Sequence, residues 1–314
     1  MSIMVPRFKY LMVDGEIVPY EEAKIHILTP AVRYGATAFE GIRAYWNKGQ
    51  RQLYLFRCME HFERLLQSAK LMGMENCSYQ PQALIEISID LLRKNSVKED
   101  VHIRPCLFVS GEGSIQASGP VSFGIGIAPA GTVLPKGGWK QKPFRMAVSS
   151  WRRIEDNSMP PRIKVAANYQ NARMALLQAE YDGYDGVVLL DAMGHVTEEA
   201  RACVFLVIDG VLVTPQVSND ILDSITRASV IKILTDVYGI DVVERDVDRT
   251  ELYLADEIFL AGTALGITPV GLVDRITVSD AIPGRITTDV DKVYSDVARG
   301  SVDSYAEWRT PVYN

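Results

Sequence analysis

The stretch RIKVAANYQN, residues 162–171, places one lysine among small apolar residues just before a helical pattern. Lys164 lies between Ile163 and Val165, and NARMALLQAEYDG, residues 171–183, reads as an amphipathic helix. One interpretation is a lysine whose stem packs on the surface while its ammonium reaches water. The other is a reactive lysine, because burial disfavours the charged form and leaves a nucleophilic amine. These ten residues alone favour the first interpretation, since most lysines are solvated.

The bulk composition is that of a globular protein. The chain has 314 residues, of which 47% are hydrophobic and 23% charged, so it can bury a large core in one or two domains. The net charge is −6 and no basic stretch is present, which argues against a nucleic-acid partner. We expect a cytoplasmic protein without a signal peptide or a membrane partner, because no apolar run reaches the about 18 residues of a spanning helix.

Cysteines and histidines are scattered along the chain. No CxxC, HExxH or zinc-ligand spacing occurs among Cys58, Cys77, Cys106, Cys203, His26, His61, His102 and His195. We therefore expect free thiols and no metal site.

Short strands alternate with helices along the chain. Hairpin signals surround Asp14-Gly15 and Asp209-Gly210, and helical spacing covers 59–72 and 79–97. The first third therefore reads as α+β with antiparallel pairing. The Gly- and Pro-rich segment 129–142 is the predicted interdomain linker, which gives domains 1–128 and 143–314. The C-terminal region from Asp289 to Trp308 is predicted to be helical.

Two segments have features of anion sites. DSITRAS, residues 223–229, opens a predicted helix with small hydroxylated residues, which suits a phosphate, although simple N-capping explains it equally well. FLAGTALG, residues 259–266, leads from a strand into a turn where backbone can approach an anion, or is simply a tight turn. Arg64 is either a bidentate phosphate ligand or a solvated helix residue. Glu198 is either the partner of a protonated ring nitrogen or a solvated carboxylate that follows a turn and precedes a strand.

Seven segments occur together in a recognisable order. They are RYGATAFEGIR (33–43), EHFERL (60–65), IRP (103–105), KVAANY (164–169), VTE (196–198), ITR (225–227) and LADEIFLAGTA (254–264). Together they resemble the class IV aminotransferases, the fold-type IV enzymes that use pyridoxal 5′-phosphate (PLP), and in particular the branched-chain amino acid aminotransferases. The resemblance runs from about residue 10 to residue 295. It implies a two-domain α+β or α/β fold with a small N-terminal α/β domain and a larger PLP-binding C-terminal domain around a β-barrel-like core.

The resemblance implies a role for each cofactor-binding residue. Lys164 matches the lysine that forms the internal aldimine with PLP and later moves a proton between Cα and C4′. Glu198 matches the carboxylate that faces the pyridine nitrogen, Tyr169 the hydroxyl near the phenolic oxygen, and Leu222 a residue packed on the ring. The phosphate ligands implied in this way are Arg64, Ile225, Thr226 and Thr263.

The resemblance also implies a substrate pocket that needs a second copy of the chain, and hence a homodimer or larger homo-oligomer. Arg104 matches the arginine that takes the side-chain carboxylate of glutamate, and Ala264 lies where backbone amides hold the α-carboxylate. The substrate residues implied are Tyr34, Phe39, Gly41, His102, Arg104, Thr263 and Ala264.

Several residues depart from the branched-chain pattern. His102 replaces a tyrosine, and we expect that its imidazole can be charged near neutral pH. Near Glu198, Glu199 and Arg201 replace glycines and Cys203 replaces an asparagine, while Ser224 replaces a glycine before the phosphate segment. The departures suggest a relaxed or shifted substrate range.

The resemblance thus implies a ping-pong transaminase that moves an amino group between a branched-chain or hydrophobic L-amino acid and 2-oxoglutarate. Three alternatives stay open at this point. One is a transaminase for (R)-amines or D-amino acids, another is aminodeoxychorismate lyase, and the last is a catalytically silent PLP-binding protein.

Overall fold

The structure is a computed structural model that describes residues 8–130, 142–279 and 282–313. The chain forms two units. Unit 1 comprises Met1–Thr132, Ile163–Ala167 and Val297–Asn314, and unit 2 comprises Val133–Arg162 and Asn168–Asp296. The domain boundaries at 129–142 stay a prediction, since residues 131–141 of that segment lie outside the described residues.

Strands and helices alternate along the chain, as the sequence predicts. The strands are β1 (Tyr10–Val13), β2 (Glu16–Pro19), β3 (Thr37–Phe39), β4 (Ile42–Asn47), β5 (Gln52–Phe56), β6 (Val101–Val109), β7 (Val121–Pro129), β8 (Phe144–Arg152), β9 (Gly186–Leu190), β10 (Val196–Glu199), β11 (Ala202–Ile208), β12 (Val211–Thr214), β13 (Val242–Glu244), β14 (Glu257–Gly262), β15 (Gly266–Val273), β16 (Ile276–Thr277) and β17 (Arg309–Pro311). The helices are α1 (Pro30–Tyr34), α2 (Cys58–Leu71), α3 (Pro81–Lys94), α4 (Tyr169–Tyr181), α5 (Ile225–Tyr238), α6 (Glu251–Leu254) and α7 (Arg285–Arg299).

Unit 1 contains a sheet whose paired strands are antiparallel. Its order is β17-β5-β4-β6-β7-β1-β2, with β3 paired to β6. Helix α2 buries Phe62 and Leu65 in the same core as Leu55 of β5 and Phe123 of β7. The helical spacing of apolar residues in α2 produces this buried face, as the sequence predicts. The sheet and α2 thereby fix the backbone around β3, where several predicted site residues lie.

Unit 2 is built around a closed barrel. The strands β10-β9-β8-β15-β14-β11 are paired in this order, and β10 pairs with β11 to close the ring. Strand β8 is parallel to both β9 and β15, while the other pairs of the ring are antiparallel. Residues 202–207 of β11 are all buried, as expected for a strand covered on both faces. The predicted barrel-like core is therefore confirmed.

The C-terminal helix is shorter than predicted. Helix α7 ends at Arg299, and Gly300 follows with φ of +69°. A left-handed glycine stops a helix by turning the chain away from its axis. The predicted continuation to Trp308 is therefore wrong, and the chain instead leads into β17.

Within residues 8–130, 142–279 and 282–313, no helix is both long and apolar enough to cross a bilayer.

Candidate active site

The backbone of Lys164 is held on both sides within unit 1. Its N–H donates to the Ser68 hydroxyl at 3.0 Å, and its carbonyl accepts from the Phe39 N–H at 3.0 Å. An antiparallel bridge between Ala38 and Val165 continues this contact. The Lys164 Nζ lies 5.1 Å from the centroid of the Phe39 ring, a cation–π distance. The structure thus brings two predicted site residues, Lys164 and Phe39, together.

The predicted phosphate ligand Arg64 belongs to a buried charge cluster. Arg64 donates to Glu40 through Nε at 2.6 Å and through Nη2 at 2.9 Å. His61, one turn earlier on α2, has Nδ1 2.8 Å from Glu40 Oε2. The Glu40 side chain is fully buried and that of Arg64 is 12% exposed. Arg64 is therefore not a solvated helix residue, because one edge of its guanidinium is fixed by a carboxylate.

Glu40 stays ionised in this cluster. Burial alone would raise the pKa of its carboxyl, but the positive charge of Arg64 and the hydrogen bonds of Arg64 and His61 outweigh burial and hold that pKa well below its usual range. Burial lowers the pKa of His61, against the opposing effect of Glu40. A neutral His61 beside an ionised carboxylate carries its proton on Nδ1, and this N–H donates a hydrogen bond to Glu40. Sequence analysis assigned no role to Glu40 or His61, although both lie within the quoted motifs.

His102 lies against Gly41. A Cβ on Gly41 would be 2.5 Å from His102 Nε2, and that nitrogen has no hydrogen-bond partner among the described residues. Burial, followed by the positive charges of Arg104 and Arg43, lowers the pKa of His102 to about 3. The expectation that His102 is charged near neutral pH is therefore wrong. The imidazole is neutral because burial and neighbouring cations both disfavour a second proton.

The other predicted substrate residues of unit 1 lie on different elements. Tyr34 ends α1, and the Arg33 guanidinium lies 4.9 Å from the centroid of its ring. Arg104 is exposed on β6, two residues after His102, so both side chains are on the same face of the strand.

Glu198 is held in the barrel of unit 2. Its Oε1 is 2.6 Å from Arg153 Nη2, and its Oε2 accepts from the Leu222 N–H at 3.2 Å. Arg153 also donates from Nε to the Asp220 carbonyl at 3.1 Å. The side chains of Arg153 and Glu198 are only 8% and 9% exposed. This ion pair is buried, so the carboxylate is not solvated. Glu198 lies in a strand and not in a turn.

Glu198 follows a turn and precedes the predicted strand β11, and it also lies within the short strand β10, which sequence analysis did not predict and which pairs Glu198 with Cys203. Arg153 is a site residue that sequence analysis missed. It follows β8 and is separated from Glu198 by 45 residues, so only the paired arginines at 152–153 hinted at it.

The two anion-site segments of the sequence meet within unit 2. Helix α5 begins at Ile225, and the hydroxyl of its N-cap Ser224 accepts from the Arg227 N–H at 3.2 Å. The hydroxyls of Thr226 and Thr263 are 3.3 Å apart. A helix N-terminus beside two hydroxyls suits an anion such as a phosphate. Capping and anion binding are thus compatible here.

The remaining predicted residues of unit 2 are half-buried. Tyr169 opens α4, Leu222 precedes α5, and Ala264 lies in the turn between β14 and β15.

The departures beside Glu198 pair with each other. Glu199 is fully buried and accepts from the Arg201 N–H at 2.6 Å and from its Nη2 at 2.9 Å. The Cys203 Sγ lies 4.0 Å from the Leu222 carbonyl. The negative charge of Glu199 is therefore balanced locally by the positive charge of Arg201.

This chain is similar to known proteins over nearly its whole length. The sequence model of the family described as amino-transferase class IV matches residues 37–273. A protein named probable branched-chain-amino-acid aminotransferase from Aquifex aeolicus (strain VF5) is 40% identical over 306 residues, which is 96% of each chain. A solved branched-chain aminotransferase from Thermoproteus uzoniensis with norvaline has a TM-score of 0.91 at 39% identity, covering 98% of this chain and 100% of that one.

A second solved structure was determined with the cofactor in place. It is the branched-chain amino acid aminotransferase from Thermobaculum terrenum in its PLP form. Its TM-score is 0.90 at 37% identity, and the alignment covers 98% of this chain and 99% of that one. A family match over more than half of the chain, together with relatives that align over nearly all of it, establishes the assignment. This chain belongs to the amino-transferase class IV family.

Proposed function

We propose that this chain is a PLP-dependent branched-chain amino acid aminotransferase. It exchanges the amino group of a branched-chain or other hydrophobic L-amino acid with 2-oxoglutarate in a ping-pong reaction. The observation that carries the proposal is the full-length likeness to branched-chain aminotransferases at 40% and 39% identity. The (R)-amine, D-amino acid, lyase and silent alternatives have no comparable support.

The described side chains fit PLP chemically. The phosphate is a dianion, which suits the α5 N-terminus, the Thr226 and Thr263 hydroxyls and the Arg64 guanidinium. The pyridine nitrogen suits Glu198, whose buried carboxylate already has a cationic partner in Arg153. The aldehyde suits the Lys164 amine. We further assign Ile225 to the phosphate, Leu222 to the ring face and Tyr169 to the phenolic oxygen.

When bound, PLP supplies an aldehyde for the amino group and an electron-withdrawing ring that stabilises a carbanion at the substrate Cα. Lys164 supplies the nucleophilic amine and then acts as the base that removes and returns the proton at this Cα. Glu198 accepts a hydrogen bond from the protonated pyridine nitrogen and stabilises its positive charge. Arg153 orients the Glu198 carboxylate by its 2.6 Å contact.

We assign the substrate-binding residues from the family likeness. Arg104 binds the side-chain carboxylate of glutamate, and the backbone at Thr263 and Ala264 binds the α-carboxylate. The apolar side chain of a branched-chain substrate packs on Tyr34, Phe39 and Gly41, with His102 as a neutral neighbour. The pocket is completed by a second copy of the chain, so the enzyme is at least a homodimer, and it acts in the cytoplasm.

The test is the visible spectrum of the PLP-loaded protein during addition of L-leucine. Leucine is expected to remove the yellow absorption and 2-oxoglutarate to restore it, whereas (R)-1-phenylethylamine leaves it unchanged. Lys164→Ala is expected to abolish this cycle. Lys232→Ala is the matched control, because Lys232 is an exposed lysine paired with Asp236. Bleaching by the amine but not by leucine would contradict the proposed substrate, and an unchanged cycle in Lys164→Ala would contradict the assigned lysine.

A further inference from the structure

A closed ring of contacts in unit 1 connects the reactive lysine to the phosphate-binding arginine. We call it the Lys164–Arg64 frame, and its members are Phe39, Glu40, Arg64, Ser68 and Lys164. The Lys164 carbonyl accepts from Phe39, which is bonded covalently to Glu40, and Glu40 binds Arg64. Ser68 lies four residues after Arg64 on α2 and accepts from the Lys164 N–H, which closes the ring.

Two members of this frame are buried, and the other three are half-buried. The side chain of Glu40 is fully buried, and Ser68 is 1% exposed. Water cannot readily replace a hydrogen bond lost at such a position, so the remaining partner stays unsatisfied. In particular, Ser68→Ala removes the hydroxyl that accepts from the Lys164 N–H. The frame is therefore sensitive to single side chains.

The two ends of the frame have to engage one molecule. Under the proposed function, on which this inference rests, Lys164 bonds covalently to the cofactor while Arg64 binds the phosphate at its other end. Both groups reach the cofactor productively only if their backbone positions are fixed relative to each other. We propose that Ser68 and Glu40 are positioning residues that set the spacing between Lys164 and Arg64. Ser68 acts on the lysine backbone, and Glu40 acts on the guanidinium.

The first test uses Ser68→Ala with Ser88→Ala as the matched control. Ser88 is equally buried, at 1% exposed, on α3 of the same unit, and its hydroxyl donates to the Leu84 carbonyl at 2.7 Å. Hydrogen exchange at the Lys164 amide is measured in the PLP-free protein. We expect exchange at least about 10-fold faster in Ser68→Ala and unchanged in Ser88→Ala. Unchanged exchange in Ser68→Ala, or equal acceleration in both variants, would overturn the role of Ser68.

The second measurement follows the rise of visible absorbance when PLP is added to the PLP-free protein. We expect Ser68→Ala to react about 10-fold more slowly, because the lysine is no longer held in its reactive position. Ser68→Cys keeps a weak acceptor of similar size, so its rate is expected to lie between those of the wild type and Ser68→Ala. A rate for Ser68→Ala equal to that of the wild type would contradict the positioning role even if stability falls.

Coupling between the two sides of the frame is tested by a double-mutant cycle. Glu40→Gln and Ser68→Ala act on one ring, so their effects on the rate of the reaction with PLP should be non-additive by about 3-fold or more. Glu40→Gln combined with Ser88→Ala should be additive. Additivity in both cycles would show that the frame is not a unit. If the wild-type protein did not react with PLP, the proposed function would fail, whereas the exchange measurement on the PLP-free protein would still report on Ser68.

Discussion

Replacement of Arg153 by methionine tests how much the buried Arg153–Glu198 ion pair contributes to the stability of unit 2. In the wild type, Nη2 of Arg153 lies 2.6 Å from Glu198 Oε1, and both side chains are less than a tenth exposed. Arg153→Met keeps much of the side-chain volume but leaves the carboxylate without its cation. Breaking a buried pair in this way costs about 3–5 kcal/mol, because an uncompensated charge remains in the interior. We take about 3 kcal/mol as the expected loss in the free energy of unfolding, since the Leu222 amide still donates to Glu198.

The assay is urea unfolding of the PLP-free protein, with Arg162→Met as the control. Arg162 is an exposed arginine with Nε 3.3 Å from Asp156, and its side chain is 54% exposed. Removal of such a surface pair costs about 0–1 kcal/mol. Arg153→Lys keeps the charge but loses the Nε bond to the Asp220 carbonyl, so it should cost less than Arg153→Met. The reasoning is refuted if Arg153→Met costs no more unfolding free energy than Arg162→Met.

Three further predictions concern the two units separately. Gly41→Ala should cost about 1–3 kcal/mol of unfolding free energy, because its Cβ would be 2.5 Å from His102 Nε2, and a second change, His102→Ala, should recover most of that loss. The pKa of Glu40 is lowered on folding, so its contribution to stability is full above its unfolded pKa of about 4.3 and declines as the pH falls below it. In urea unfolding, the difference in unfolding free energy between the wild type and Glu40→Gln should therefore become smaller as the pH falls from about 6 to about 3. A difference that stays constant over this range would contradict the prediction. Thr226→Val removes the hydroxyl 3.3 Å from that of Thr263, and the dissociation constant for PLP, measured by fluorescence titration, should rise about 10-fold with little change in melting temperature.

Local features of the structure were predictable from the sequence because short-range chemistry determines them. Asp14 and Gly15 adopt φ of 54° and 83°, as a two-residue hairpin turn requires, and the sequence DG predicts that turn. Helix α5 likewise ends at Tyr238, and Gly239 follows with φ of 63°, where a left-handed glycine is favoured. These positions depend on the residue itself and its immediate neighbours.

The partners of the predicted site residues could not be predicted in the same way. Ser68 is 96 residues from Lys164, and Arg153 is 45 residues from Glu198. Nothing in the periodicity of α2 distinguishes Ser68 from a serine that merely bonds to its own helix, as Ser88 does. Burial of such groups is a result of tertiary packing, which sets strand pairing and barrel closure as well.

The structure also separates the departures from the family pattern by their effect. Glu199 and Arg201 neutralise each other within the barrel, and Ser224 replaces a flexible glycine by a residue that caps α5. These substitutions are accommodated locally and leave no unbalanced charge to redirect a substrate. His102 is different, because its Nε2 has no partner among the residues that the structure describes and its ring is packed on Gly41. We therefore expect a shift in substrate range to originate at His102. It would act through the shape and hydrogen bonding of a neutral ring, because the His102 pKa of about 3 leaves the ring uncharged near neutral pH.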